Sequence, residues 1–190
     1  MKKFFIVLIF LFLAVSTSTA EIIAGYQGWF GCPEDYEGNK DWQHWFHKGH
    51  FTVDLLPDIS IYPESSLCNT SIKTKDGKTV KLFSSQNREI VKVHVNLAEK
   101  YGIDTLALQR FVNEISKERG FKRRNNVLEN IISVTKNKNI KFFIMYDISG
   151  AEESKVYDLI DKDITFLKEK YGLFNLENYY KVNGKPLVGI

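Results

Sequence analysis

The 190-residue chain is short of cysteine, of net charge and of long apolar runs, and each shortage excludes something. Only Cys32 and Cys68 are present, so no more than one internal disulfide can form. Lys and Arg number 26 against 23 Asp and Glu, a formal charge of +3. Two of those positive charges are Lys2 and Lys3, so without the N-terminal segment about +1 remains. The basic residues are scattered, apart from Lys122, Arg123 and Arg124, which the pattern places on a solvated helix start. That distribution excludes a nucleic-acid partner. No apolar run reaches the ~20 residues of a spanning helix. No glycine-rich phosphate loop follows any predicted strand, so a nucleotide-binding sheet has no support.

What is present begins with an export signal. Lys2 and Lys3 precede an uncharged apolar run over 4–15, and Ser18 and Ala20 occupy the small-residue places of a cleavage site. Residues 1–20 therefore read as a signal peptide, with no stable membrane insertion after its removal and a secreted, periplasmic or extracellular product. In an oxidising compartment Cys32 and Cys68 can pair across about 36 residues, worth roughly 3–4 kcal/mol in the chain-entropy picture. Two free thiols are the alternative. Asn69-Thr70-Ser71 is a glycosylation sequon, relevant in a eukaryotic host.

Apolar runs at 22–26, 105–108, 141–146 and 187–190 read as strands. Helical spacing falls between them: Ile90 to Tyr101, Val127 to Thr135, and Val156 to Tyr171, the first and last closed by Gly102 and Gly172. Asp76-Gly77 marks a hairpin inside an otherwise irregular stretch over 27–86. Strands apolar on both faces, alternating with amphipathic helices, require a parallel sheet covered by helices. The fold class is α/β, the N-terminal part of a (β/α)8 TIM-type barrel. About three βα units and the start of a fourth strand are present, and residues 21–190 form one incomplete barrel domain. About 250 residues is usual for the complete fold. The expectation is a chain that stops inside its fourth strand.

In parallel α/β folds, functional groups gather where the strands end. Those ends read Tyr26-Gln27, Gln109-Arg110 and Tyr146-Asp147. The first long loop carries all three tryptophans, Trp29, Trp42 and Trp45, with His44 between the last two. Aromatic rings pack on the C–H faces of sugars, and the polar strand ends suit their hydroxyls. The expected substrate contacts are thus Tyr26, Trp29, His44, Trp45, Gln109, Arg110, Tyr146 and Asp147, with Trp42 taken as the structural tryptophan. His44, His47 and His50 lack the convergent carboxylate or thiolate of a metal centre, so neither metal nor cofactor is expected. A glycosidase needs two carboxylic groups, and no such pair stands out. Asp147 is the best-placed single carboxylate.

The ordered blocks Ala24-Gly25-Tyr26-Gln27-Gly28-Trp29-Phe30, Trp42-Gln43-His44-Trp45, Leu56-Pro57-Asp58, Leu82-Phe83-Ser84-Ser85, Tyr101-Gly102-Ile103-Asp104, Leu108-Gln109-Arg110-Phe111 and Met145-Tyr146-Asp147-Ile148-Ser149-Gly150 resemble the glycoside hydrolase family 71/99-like group. Asn183-Gly184-Lys185-Pro186 resembles the segment before that group's fourth strand. The resemblance implies a (β/α)8 barrel that cleaves α-mannosides internally with retention, using the substrate's 2-hydroxyl and two carboxylates of the later barrel. Nothing within 1–190 matches those carboxylates, so they are expected beyond residue 190. Ile61 departs from the polar residue expected there. The implied activity is that of a secreted endo-α-mannosidase-like hydrolase on α-mannan-type glycans. A non-catalytic carbohydrate-binding protein on the same fold is the alternative.

Overall fold

The structure, a computed structural model, describes residues 20–190. The expected signal peptide, Ala20 apart, lies outside the described residues. The strands are β1 (Ile23–Tyr26), β2 (Phe46–His47), β3 (His50–Phe51), β4 (Leu67–Lys73), β5 (Thr79–Phe83), β6 (Thr105–Phe111), β7 (Lys141–Asp147), β8 (Lys181–Val182), β9 (Lys185–Pro186) and β10 (Val188–Gly189). The helices are α1 (Arg88–Lys100), α2 (Val112–Ile115), α3 (Glu118–Thr135) and α4 (Glu153–Tyr171).

One four-stranded sheet organises the chain, in the order β1-β6-β7-β10 with every pair parallel. The order follows the chain and never turns back. A doubly wound sheet reverses at a switch point, and no such reversal falls among the described strands. β6 is buried along its length except at Phe111, as expected of a strand covered on both faces.

The helices start and stop for local reasons. Asn87 caps α1, its side chain accepting from the Glu89 N–H at 2.9 Å, and Glu89 adds a carboxylate to the first turn. α4 ends at Gly172, whose φ of +58° suits glycine and whose N–H reaches the Lys168 carbonyl at 3.0 Å. α1 and α3 lay Val91, Val95, Val127, Leu128 and Ile131 against Leu106, Leu108, Phe142 and Ile144. Each such fully buried side chain contributes about 1.5–3 kcal/mol of transfer free energy.

A second apolar cluster fills the space under the first long loop: Trp45, Leu82, Phe83 and Ile90, with Phe30, Trp42, Phe46, Phe51 and Tyr62 around them. The β4–β5 hairpin turns through Gly77 at φ +79°. Cys32 and Cys68 are bonded, tying the loop to β4.

The fourth strand is interrupted. Tyr180 donates its N–H to the Phe142 carbonyl at 2.8 Å, after which the chain makes the β8–β9 hairpin before Val188 and Gly189 return beside Ile144 and Met145. The hairpin turn falls on Asn183 and Gly184, both at positive φ. A Cβ at Gly189 would meet Met145 Cγ and Phe143 Cε2, each at 3.2 Å, so the return strand runs close over its neighbour.

Candidate functional site

Side chains alternate across a strand, and that alternation divides the eight expected contact residues into two groups. In β6, Leu106, Leu108 and Arg110 share one face and Ala107, Gln109 and Phe111 the other. The β7 register sets Tyr146 beside Arg110, and sets Met145 and Asp147 beside Gln109 and Phe111. Tyr26 aligns with Leu108.

The Leu108 face meets the helices. Arg110, 1% exposed, donates from Nε and Nη2 to both carboxylate oxygens of Asp163 in α4, at 2.8 and 2.6 Å, and from Nη2 to Asn125 Oδ1 at 3.1 Å. The Tyr146 hydroxyl donates to the same carboxylate at 2.6 Å. Burial first, then the Asp163 charge, pushes the Tyr146 phenol far up, so it remains a donor. This is a bidentate buried pair that ties sheet to helix layer.

Tyr26 is tied on the same side. Its hydroxyl is 2.9 Å from His94 Nδ1 in α1, and Tyr62 holds His94 Nε2 at 2.9 Å. Burial pulls His94 down to about 4, so the ring is neutral at pH 7, and burial raises the Tyr26 phenol. Trp45 is 2% exposed, stacks on Phe30 at 4.0 Å and donates its indole N–H to the Phe83 carbonyl at 2.7 Å. Trp45 is therefore committed to the core and not to the expected substrate contacts, and Trp42, partly buried, packs against the same cluster.

Trp29, His44, Gln109 and Asp147 remain, toward the C-terminal end of the sheet, together with Phe111, Glu114, Arg123 and Arg124. Trp29 stacks on His44 at 4.6 Å and 19°, and on Phe111 at 6.0 Å and 14°. Arg124 lies 4.6 Å from the Phe111 ring centre. A column results: guanidinium, phenyl, indole, imidazole. Gln109 donates to Asp147, whose other oxygen accepts from the Ser149 N–H at 2.7 Å. Hydrogen bonding from Ser149, with help from Gln109 and Arg124, holds Asp147 below the ordinary carboxylate range.

Glu114 binds Arg123 at 2.6 Å and Arg124 at 2.7 Å. Burial opposes its charge, but the two guanidiniums outweigh burial and depress its pKa. Arg124 also reaches the Gln27 carbonyl at 2.8 Å, and Arg123 donates to Gln43. His44 sits at φ +57°, a left-handed conformation that costs a non-glycine residue about 1 kcal/mol or more. Thr52 secures the strained turn, its hydroxyl donating to the His44 carbonyl and its N–H to the Trp45 carbonyl. Desolvation, then the charge of Arg123, lowers the His44 pKa.

Arg123 and Arg124 correct the expectation of a solvated helix start: they are 7% and 2% exposed. Position 124 precedes Leu128 and Ile131 by four and seven residues, which puts it on the apolar stripe of α3. Among the described residues, no three His, Cys, Asp or Glu side chains converge as a metal site would require, and no helix is long and apolar enough to cross a membrane. His47 and His50 face each other across the β2–β3 hairpin, while His44 belongs to the column.

No family model and no curated protein matches the sequence. The fold does have solved counterparts. The structure of the GH99 endo-α-mannosidase from Bacteroides thetaiotaomicron in complex with bis-tris-propane superposes with a TM-score of 0.55 at 19% identity, over 90% of this chain and 41% of that one. A second structure of the GH99 endo-α-mannosidase from the same organism gives 0.53 at 19% identity, over 88% and 44%. The chain shares the fold of these glycoside hydrolases and spans about two-fifths of their length.

Proposed function

We propose that the chain forms the first four strands of a (β/α)8 barrel in an exported glycoside hydrolase that acts on α-mannan-type glycans, in the manner of a retaining endo-α-mannosidase. The strand order without reversal and the fold shared with the GH99 enzymes support the barrel. The observation that carries the glycan reading is the Trp29–His44 stack beside Gln109 and Asp147 at the C-terminal end of the sheet. It sets an aromatic edge for sugar C–H groups next to neutral and anionic acceptors for hydroxyls. Trp29, His44, Gln109 and Asp147 are the contact residues in this reading. Tyr26, Trp45, Arg110 and Tyr146 hold the walls from behind.

Neither carboxylate at this mouth is set up as a general acid. Glu114 and Asp147 are each held below their usual pKa by named donors, so both are ionised at neutral pH. A glycosidase acid must carry a proton there. In this reading neither serves as the acid, and the acid and base are assigned, from the family resemblance, to later strands of the barrel. The same observation favours the second reading, a non-catalytic glycan-binding protein on this fold.

The two readings are tested together by calorimetry and product chromatography on the mature chain with α-mannan oligosaccharides. Binding that disappears in Trp29→Ala, without hydrolysis, is the expected result. Turnover by this chain alone overturns the assignment of the acid and base elsewhere. No binding by the wild-type chain overturns the glycan reading.

A further inference from the structure

A second concave site lies outside the column. It is a cavity of about 360 Å³ between Asp41-Trp42, the β2–β3 hairpin at Phe46 and Lys48, and Thr70-Ser71 of β4. That volume is at the small end of ligand sites, about 300–1,000 Å³.

Three observations indicate that its shape is built in. First, the pairing of β4 with β5 shifts register between Asn69 and Lys73, so the wall is a bulge, a device that re-aims side chains near sites. Within it Thr70 is spent on structure, accepting from the Ile72 N–H at 3.1 Å and donating to the Val80 carbonyl at 2.8 Å, while Ser71 remains exposed. Second, Trp42 is held edge-on by Phe46 at 5.3 Å, and Phe46 is stacked on Phe51 at 4.5 Å, so the aromatic wall is preorganised. Third, the Cys32–Cys68 bond joins the two walls. On one side Asn39 reaches back to the Cys32 carbonyl, two residues before Asp41; on the other, Cys68 stands two residues before Thr70.

The lining carries one acid, Asp41, and one base, Lys48, beside the aromatic edge and the Ser71 hydroxyl. Those opposite charges disfavour a strongly charged ligand of either sign, and the aromatic wall suits a ring with C–H faces. The cavity of about 610 Å³ at Lys136, Lys138 and Lys141, by contrast, has no aromatic lining and is rich in lysine.

We infer that the Trp42 cavity is a second subsite for a neutral sugar residue, so that the protein contacts an extended glycan and not a single ring. The inference rests on the glycan reading of the Trp29 column. Trp42 and His44 are two residues apart, so the two contact areas lie on one loop.

The test uses the mature chain, titrated by calorimetry with an α-mannotetraose and with methyl α-mannoside. Trp42→Ala is expected to weaken the tetraose about tenfold and to leave the monosaccharide unchanged, as befits one lost aromatic contact. Ser71→Arg, an exposed substitution that fills the cavity without removing packing, is expected to do the same. If both variants bind the tetraose as the wild type does, the subsite is overturned and the column reading stands. If both lose the two ligands equally, a separate subsite is likewise overturned. A wild-type chain that binds neither sugar overturns the column reading, and the subsite with it.

Discussion

Arg124 is stacked on Phe111, its guanidinium 4.6 Å from the ring centre, while Glu114 holds the same guanidinium at 2.7 Å. A buried cation thus fixes one end of the column whose other end is His44. The ion pair orients the platform without itself presenting a free charge to ligand.

Replacing Arg124 by Met leaves Glu114 with Arg123 alone and removes the cation from Phe111. Stability is expected to fall by about 2–4 kcal/mol, below the 3–5 kcal/mol seen when a buried charge is left wholly unpaired. Urea unfolding reads that change. The His44 pKa, followed by NMR, is expected to rise, because Arg124 is one of the charges holding it down. An unchanged His44 titration would remove the column's electrostatic link.

The Asp163 carboxylate answers both Arg110 and Tyr146 in a site nearly closed to water. Asp163→Ala is expected to cost about 3–5 kcal/mol, since it strands a buried guanidinium. Near-normal glycan affinity per folded molecule is also expected, because none of the three faces the column. Chemical unfolding and calorimetry on the same sample check the two halves of that statement.

His94 gives the fold an acid limit. Its pKa is lowered to about 4 in the folded chain by burial, against an ordinary value near 6.5. The unfolded chain therefore binds more protons between those values, and stability falls as pH drops through that window. His94 contributes in full above about pH 6.5, and the loss approaches about 3 kcal/mol near pH 4. Thermal melts of wild type and His94→Gln from pH 7.5 to 4 are expected to converge as pH falls. Parallel curves would assign the acid limit to other groups.

Removing the Cys32–Cys68 bond with a double Ser substitution is expected to cost roughly 3–4 kcal/mol, from the 36-residue separation it closes. Calorimetric melting of the pair, oxidised against substituted, measures it. Loss of under about 1 kcal/mol would mean the loop is already held by its aromatic cluster.

The regular part of the fold was legible because its signals are local. Apolar runs gave the strands at 105–108 and 141–146, and helical spacing with Gly102 and Gly172 gave two helix ends where the structure has them. The face on which a strand-end residue lies was not legible from its position at the end. Gln109 and Arg110 are neighbours in sequence, yet one reaches Asp147 and the other Asp163. Alternation through Leu106 and Leu108 carried that information, since Arg110 continues their face. The burial of Trp45 was not legible for another reason. The Phe83 carbonyl that claims the Trp45 indole lies 38 residues away, and no local pattern announces such a partner.

The alternation in β6 and β7 also governs how this scaffold can change. Positions 109, 111, 145 and 147 lie on the face away from the helices, while 108, 110, 144 and 146 look into the helices. On the proposed glycan reading, ligand preference and cohesion are therefore written on interleaved letters of the same two strands. A library that randomises only the first set can drift in specificity while the second set keeps the protein whole.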